Sequence, residues 1–360
     1  MADRLMAVRH WGDFPIEPKM RLISDNDYSG DPDGLVQLAH HLLSPTVETR
    51  AILASHLRAG DSWNRFDDSV EEAVKEVRNL QEIMNLQEII DPSDIGKKDS
   101  QPLASRPKVL PKVLSKVLPK VLRGARGPLV DRKTPADSEA ARFIIEEAMN
   151  SDSALPLFVV CGGSLTSIAS AWLINPEIAS KLTVVWIGGP EHQGHSQPPP
   201  GASQYEYNLH EDVIAGQVIF NDSDLRLWQI PRNAYRQLNT SQAELELRMN
   251  QAGLLGSYLY QKLSSVAVAT NRLGFKFGET YMLGDSALVL LTALQSTFEA
   301  DPSSSSYFDL PKPRLKDDGS YEDNPAGVPM RVYSHLDVRL TTEDLYAKLL
   351  IHEKSRGATT

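Results

Sequence analysis

The stretch from Leu22 to Leu43, LISDNDYSGDPDGLVQLAHHLL, decides how the rest of the chain is interpreted. Its apolar start predicts a buried strand, and the apolar residues after Gly34 recur at helical spacing. The polar loop between them holds four aspartates, Asp25, Asp27, Asp31 and Asp33. In an open α/β sheet such a loop lies at the carboxyl end of a strand, where ligands bind. Carboxylates this close repel one another unless protons or a hard cation such as calcium or magnesium neutralise them.

The composition is that of a soluble globular protein, with 41% apolar and 23% charged residues in a chain of 360. The net charge of −10 argues against nucleic-acid binding through a general basic surface, but not against binding of a neutral nucleoside. Cys161 is the only cysteine, so no internal disulfide is possible and a reducing compartment is expected. No apolar run approaches the ~20 residues that span a bilayer, and the N-terminus lacks a signal-peptide core. We therefore expect a cytoplasmic protein that contacts no membrane.

Strands, glycine turns and helices alternate along most of the chain. Leu157–Cys161 and Leu182–Ile187 are continuous apolar runs, as expected of strands that are covered on both faces. Glycines follow each run, at Gly162 and Gly188, and the first of these turns leads into an apolar helix. The alternation predicts the α/β class, with an open, mostly parallel central sheet and helices on both faces.

We expect one domain that spans residues 1–360, with two additions to it. Residues 91–123 are predicted to be an inserted loop that contains the tandem repeat PKVL-PKVL-SKVL-PKVL. Prolines in this repeat exclude a helix and argue against a central strand. The repeat is therefore either a basic docking segment or an exposed insertion without a specific role. Residues 301–360 are predicted to be a C-terminal extension packed on the domain.

Five short motifs resemble, in order, those of one enzyme family. The loop DNDYSGDPDG is similar to the family pattern D-x-D-P-G-x-D-D-A, and residues 161–169, CGGSLTSIA, are similar to T-G-[GP]-L-T-N-I-A. The strand end VVWIGG at 184–189, the segment EYNLHED at 206–212 and the turn LGDSAL at 283–288 complete the series. Each motif alone is explained by a glycine turn or a helix N-cap. Together, over residues 21–295, they resemble the nucleoside hydrolases, the inosine–uridine-preferring N-ribohydrolase superfamily.

The resemblance implies a calcium-dependent hydrolase that cleaves the N-glycosidic bond of ribonucleosides to give a free base and ribose. It implies metal ligands at Asp27, Asp33, Asp285 and the Gly162 carbonyl, with Asp27 also acting as the base that activates water. Ligands of the substrate are expected to be Asp31, Glu206, Asn208 and His195. The family also implies a homo-oligomer, either a dimer or a tetramer, whose partner is a small nucleoside or related glycoside.

The chain departs from the family at Gly284, where many members carry a histidine that assists the leaving base. We therefore expect a divergent branch of the family, in which the residue that protonates the leaving nucleobase is not identified. Candidates for that role, or for stacking on the base, are His56, His192, His195, His210, Tyr205, Tyr207, Trp228 and Tyr235.

Two other functions remain open. A non-catalytic or differently specific sugar- or glycoside-binding protein of the same fold is favoured by Gly284 and disfavoured by Asp27, because binding alone needs no base. A magnesium-dependent phosphatase would use Asp25 as nucleophile and Asp27 as acid. That class also requires a later lysine and a paired-aspartate metal motif, which we do not find in a matching context.

Overall fold

A computed structural model of the chain describes residues 9–11, 14–89, 119–272 and 276–357. The strands are β1 (Arg9–Trp11), β2 (Phe14–Ile16), β3 (Met20–Asn26), β4 (Val47–Ala54), β5 (Lys120–Arg123), β6 (Leu157–Cys161), β7 (Leu182–Ile187), β8 (Arg226–Ile230), β9 (Asn239–Ser241), β10 (Thr280–Met282), β11 (Ser306–Pro311), β12 (Arg314–Leu315), β13 (Tyr321–Glu322) and β14 (Pro329–His335). The α-helices are α1 (Asp33–Leu42), α2 (Ser69–Ile89), α3 (Glu139–Ala148), α4 (Thr166–Ile174), α5 (Tyr207–Glu211), α6 (Val213–Gln217), α7 (Arg232–Tyr235), α8 (Gln242–Asn250), α9 (Gly253–Arg272), α10 (Ala287–Leu290) and α11 (Val338–Gly357). Short 3₁₀ or π turns lie at Pro176–Ser180, Val218–Asp222 and Gly284–Ser286.

Eight strands of the described residues form one central sheet, in the order β11-β14-β8-β7-β6-β3-β4-β5. Neighbouring strands are parallel except β11 and β14, which pair antiparallel at one edge. β3 lies near the centre, hydrogen-bonded to β6 on one side and to β4 on the other. The predicted α/β class with an open, mostly parallel sheet is confirmed.

Helices cover both faces of this sheet. Successive side chains along each strand point to opposite faces, so the apolar residues of a strand need cover on both. Ile23 belongs to the core that contains Ile144 of α3 and Ile168 of α4. Leu22, its neighbour in β3, belongs to the core on the other face, with Leu288 of α10. All seven residues of β3 are buried, as a parallel strand between two helical layers requires. None of the helices in the described ranges is long and apolar enough to cross a membrane.

Two segments that were expected to lie outside the sheet contribute strands to it. Lys120–Arg123, at the end of the predicted insertion 91–123, forms β5, while residues 90–118 lie outside the described residues. β5 is an edge strand, which agrees with the argument that prolines exclude the repeat from a central position. Residues 301–360, predicted to pack on the domain as an extension, supply β11 and β14. The central sheet therefore includes residues from both segments.

The helical segment that follows Glu206 is broken at Asp212. α5 ends at Glu211, and Asp212 caps α6 by accepting a hydrogen bond from the Ala215 N–H at 2.9 Å. The other Asp212 oxygen accepts from the Thr166 hydroxyl at 2.6 Å. The break therefore ties the segment that begins at Glu206 to α4.

Lys312, directly after β11, is buried, with only 1% of its surface exposed. Its Nζ donates hydrogen bonds to the Ile219 carbonyl at 3.0 Å and to the Ser223 carbonyl at 3.1 Å. These carbonyls lie at the end of the helical segment that follows α6, where the helix dipole is negative. Burial lowers the pKa of Lys312 to about 8. The C-terminal residues thus hold the segment that begins at Glu206 from its far end.

We expect Lys312 to make the protein more stable as the pH rises in alkaline solution. Its pKa is about 8 in the folded protein against an ordinary value of 10.5, so between these values the unfolded chain binds more protons. Lys312→Met removes this dependence, and the difference in unfolding free energy between wild type and variant should grow by about 3 kcal/mol across that range. Urea unfolding at several pH values measures it. Lys316→Met, at an exposed position of the same segment, is the control, and a constant difference for Lys312→Met would contradict the lowered pKa.

Candidate active site

The carboxyl ends of β3 and β6 meet near the centre of the sheet. From β3 the chain continues to β4 on one side, whereas β6 lies on the other side. Asp27 follows β3 directly, and Gly162 follows β6 directly. The Gly162 N–H donates to the Asp25 carbonyl at 2.9 Å, which holds the two strand ends together. A switch point of this kind is where open α/β sheets bind ligands.

A cavity of about 480 Å³ opens at this switch point. Its lining contains seven of the eight residues predicted as ligands or catalyst, namely Asp27, Asp31, Asp33, Gly162, Glu206, Asn208 and Asp285. Three of the carboxylates are almost fully buried, with 6% of Asp27, 8% of Asp33 and 6% of Asp285 exposed. The structure therefore brings these residues from four separate parts of the chain to one cavity.

The carboxylates of the cavity raise one another's pKa values. Burial raises the pKa of Asp27 well above its ordinary value, and the charges of Asp285 and Glu211 raise it further. The pKa of Asp33 is raised for the same reasons, with burial first and Asp285 next. Among the described residues, no lysine or arginine forms an ion pair with any of the three aspartates Asp27, Asp33 and Asp285. A buried group of like charges takes up protons or a cation.

Neutral donors orient these charges without balancing them. The Asp285 N–H donates to Asp33 Oδ2 at 3.1 Å. The Tyr281 hydroxyl donates to Asp31 Oδ1 at 2.6 Å, and the Asp33 N–H donates to the same oxygen at 3.2 Å. These bonds link the loop before α1 to the late turn at Gly284–Ser286. The two parts of the chain therefore form one wall of the cavity.

The chemistry of these donors fits a hard cation. Carboxylate and carbonyl oxygens are the ligands that calcium and magnesium prefer in proteins. The Asp27 carboxylate accepts no hydrogen bond from any residue that the structure describes, so its oxygens are free for a ligand. Within the residues that the structure describes, no three His, Cys, Asp or Glu side chains lie close enough together to hold a metal ion. Binding of a cation would therefore require the carboxylates to converge on it.

Glu206 is fixed by three donors at the start of α5. It is the N-cap of this helix, and its Oε2 accepts from the Leu209 N–H at 3.1 Å. The same oxygen accepts from the Gly189 N–H at 2.7 Å, and Oε1 accepts from the Tyr235 hydroxyl at 2.8 Å. Burial raises the pKa of Glu206, while these hydrogen bonds lower it. The sequence suggests an N-cap at Asp212, which the structure shows for α6, whereas the cap at Glu206 is not predicted.

Asn208 is held by two strand ends. Its Nδ2 donates to the Gly162 carbonyl at 3.0 Å and to the Ile187 carbonyl at 2.9 Å. Because both bonds use the amino group, the side-chain oxygen remains to accept a hydrogen bond from a ligand hydroxyl. Asn208 thus presents a fixed acceptor to the cavity at the ends of β6 and β7.

His195, which the resemblance implies as a ligand of the substrate, lies outside the cavity. Its ring is exposed and stacks on Phe308 of β11, with 3.8 Å between the ring centroids. The loop 190–204 therefore runs toward the β11 edge of the sheet and not over the end of β3. Among the described residues, no histidine lines the cavity.

Aromatic and apolar side chains form most of the remaining lining, which also includes Asn239, Thr270 and Thr280. Two of the predicted stacking candidates, Tyr207 and Tyr235, are among them. The sequence analysis misses the others, which are Trp63, Ile187, Val266, Phe277, Tyr281 and Met282. Trp63 gives a usable signal in the sequence, because it follows the apolar run that forms β4, which is parallel to β3 and ends on the same side as the aspartates. Ile187 is the last residue of β7, and the others belong to α9, β10 and the segment between them.

Gly284, where the family motif has histidine, lines the cavity beside Tyr235. A Cβ atom at this position would lie 3.5 Å from Tyr235 Cδ2 and 3.7 Å from Asp33 Oδ2, which are ordinary contact distances. The main chain therefore does not require glycine here for space.

Asp25, the nucleophile of the phosphatase alternative, does not line the cavity. It is 1% exposed, and its Oδ1 accepts a hydrogen bond from the Ser55 hydroxyl at 2.5 Å. Burial raises its pKa to about 6. A carboxylate that is enclosed in this way supports the strand end and has no path to a substrate phosphate.

A family model that covers almost the whole chain matches this sequence. The model is described as inosine-uridine preferring nucleoside hydrolase, and it matches residues 22–359. The match includes β11, β14 and α11, so the C-terminal residues lie within the region that the family shares. A search among curated protein sequences finds no match.

Several solved structures superpose on nearly the whole chain. A plant nucleoside hydrolase gives a TM-score of 0.62 at 17% identity, covering 92% of this chain and 99% of its own. A purine-preferring ribonucleoside hydrolase from Gardnerella vaginalis gives 0.60 at 17% identity, covering 93% and 99%. An inosine-uridine preferring nucleoside hydrolase from Bacillus anthracis gives 0.58 at 16% identity, covering 92% and 99%. At these identities the likeness establishes the fold.

We expect Gly189→Ala to destabilise the protein and to release Glu206. Gly189 has φ of +82°, and a Cβ atom there would lie 2.4 Å from both Gln229 Nε2 and the Tyr321 hydroxyl. Gly194 has the same φ, but nothing lies within 4 Å of its Cβ position, so Gly194→Ala is a matched control for the backbone strain alone. Gly189→Ala should cost about 1–3 kcal/mol more than the control, because only it overpacks its surroundings. Urea unfolding of both variants decides this, and equal losses would show that the contacts do not matter.

Proposed function

Since the chain belongs to the inosine-uridine preferring nucleoside hydrolase family, we propose that it hydrolyses the N-glycosidic bond of ribonucleosides to free base and ribose. The observation that carries this proposal is the cavity at the end of β3, in which Asp27 lies together with Glu206 and Asn208. Cleavage of such a bond needs a base for water, groups that hold a vicinal diol and stabilisation of positive charge on the sugar. The lining contains residues of each kind.

Asp27 is proposed as the base. It lies directly after the rigid strand β3, and no donor among the described residues occupies its carboxylate. Its pKa is raised, first by burial and then by neighbouring carboxylates, so it binds a proton more readily than an exposed aspartate does. In the proposed reaction, water adds to the anomeric carbon and its proton passes to Asp27. The nucleobase departs with the electrons of the C–N bond.

The proposed cofactor is calcium. Asp27, Asp33 and Asp285, with the carbonyl of Gly162, would hold it, since these oxygens face one cavity that carries excess negative charge. When bound, such an ion lowers the pKa of a water molecule and binds sugar hydroxyls. The Gly162 carbonyl already accepts a hydrogen bond from Asn208, and its second lone pair is free for a cation.

The ribose would be held by Asp31, Glu206 and Asn208. Each of these side chains is fixed by hydrogen bonds to its surroundings, so little conformational entropy is lost when substrate binds. The base would lie against the aromatic lining, which includes Trp63 and Phe277. The predicted dimer or tetramer and the predicted cytoplasmic location stay predictions.

The second candidate function is binding of a sugar or glycoside without turnover. Gly284 favours it, because no histidine among the described residues lines the cavity to protonate a leaving base. The free Asp27 carboxylate favours hydrolysis, because a binding site gains nothing from an isolated base.

We expect the protein to release ribose from at least one nucleoside in a panel of purine and pyrimidine ribonucleosides. Release should fall to background when a chelator removes calcium, and should return when calcium is added in excess. A reducing-sugar assay, with chromatography of the base, measures both. Calcium binding in calorimetry without any cleavage would instead support the binding protein.

Asp27→Asn should lower turnover by about 10²–10⁴-fold, because the amide cannot take the proton from water. Asp25→Asn is the matched control, since Asp25 lies two positions away and outside the cavity. It should keep wild-type activity within a few fold, whereas the phosphatase alternative requires it to be inactive. Thermal unfolding of both variants checks that the fold is kept. Full activity of Asp27→Asn would overturn the proposed mechanism.

A further inference from the structure

Asn26, the last residue of β3, has a buried side chain that bridges two residues of the cavity. Its Oδ1 accepts a hydrogen bond from the Asp27 N–H at 2.8 Å. Its Nδ2 donates to Asp285 Oδ2, also at 2.8 Å. The carboxamide is thus used at both ends, and it connects the first loop of the site to the late turn that carries Asp285.

Two glycines provide the space that this side chain occupies. A Cβ atom on Gly162 would lie 2.3 Å from Asn26 Nδ2, and one on Gly34 would lie 2.8 Å from it. Neither glycine has a positive φ, so space rather than backbone conformation explains them. Gly34 is the second residue of α1, where alanine would otherwise be more stable than glycine. Gly34 therefore makes α1 less stable than alanine would, but it leaves space for the Asn26 amide.

The bond to Asp285 also solves an electrostatic problem. Asp285 lies beside Asp33, and like charges repel a carboxylate from such a position. A lysine or arginine would hold it, but would also neutralise a site that we propose to bind a cation. A neutral amide holds one carboxylate oxygen, Oδ2, and leaves the other oxygen for a ligand.

We propose that Asn26 is a positioning residue that fixes the Asp285 carboxylate relative to Asp27, and that Gly34 and Gly162 form its seat. The role in turnover rests on the proposed function, because it acts through two residues of the proposed calcium site. The geometric part, in which Asn26 holds Asp285, does not depend on catalysis.

A double-mutant cycle of Asn26→Ala and Gly34→Ala tests the proposal. Asn26→Ala should weaken calcium binding in calorimetry, and lower kcat/KM for the best nucleoside, by about 10- to 100-fold. Gly34→Ala should cause a loss of the same kind, because its methyl group displaces the Asn26 amide. The double variant should be no worse than Asn26→Ala alone, since the two nearest atoms, Asn26 Nδ2 and Cγ, are then absent and only Asp285 Oδ2, at 3.3 Å, remains near the methyl group. Additive losses, or wild-type calcium affinity in Asn26→Ala, would overturn the proposal.

Thermal unfolding separates positioning from simple loss of structure. Gly34→Ala should lower the melting temperature by no more than Asn26→Ala does, because the helix propensity of alanine offsets part of the cost of displacing the buried amide. Both variants should stay folded at the temperature of the calcium measurement. Gly127→Ala, where nothing lies within 4 Å of the added Cβ atom, is the control and should change neither quantity. A fall in melting temperature that accounts for the lost affinity would contradict the positioning role.

A crystal structure of Asn26→Ala gives a readout that needs neither substrate nor metal. The Asp285 carboxylate should leave its position beside Gly162 and Gly34, whereas an unmoved Asp285 would refute the inference. If the wild-type protein neither cleaves nucleosides nor binds calcium, the proposed function fails. The position of Asp285 in this variant still decides whether Asn26 holds it.

Discussion

The burial of several carboxylates in one cavity is the constraint on which the rest of the site depends. Each ion that leaves water for a protein interior loses several kcal/mol of solvation, which only a partner charge or a proton restores. Asp27 and Asp33 have no cationic partner among the described residues, and burial and neighbouring carboxylates raise the pKa of both. The folded protein is therefore linked to whatever supplies positive charge, either protons or a bound cation.

The parallel sheet makes this arrangement possible because its strand ends are rigid and present backbone groups. β3, β6 and β7 are buried along their whole length. At their carboxyl ends, the Gly189 N–H holds Glu206 and the Gly162 carbonyl holds Asn208. The buried Lys312 shows the same principle with the opposite charge, since backbone carbonyls receive its ammonium group. Main-chain groups thus help to orient Glu206, Asn208 and Lys312.

The sequence predicts what local interactions determine, and fails where distant residues decide. β7 has the predicted bounds, because an apolar run of that length needs cover on both faces. β11 is not predicted, since it lies in a segment rich in serine and proline and is stabilised by pairing with β14. The aspartates of the site follow from their own loop, whereas Phe277 reaches the cavity only through tertiary packing. The position of His195 outside the cavity does not follow from the sequence, because composition does not encode the direction in which a loop runs.

Under the proposed function, the polar and the aromatic lining residues would act on different parts of the nucleoside. Carboxylates and an amide can stabilise an oxocarbenium-like sugar, because positive charge develops there as the C–N bond breaks. The aromatic residues, such as Trp63, offer contact to the base but no described histidine to protonate it. Most of the rate acceleration would then come from the sugar side of the cavity. A base that departs readily without a proton would be the better substrate, and Gly284 would be tolerated for that reason.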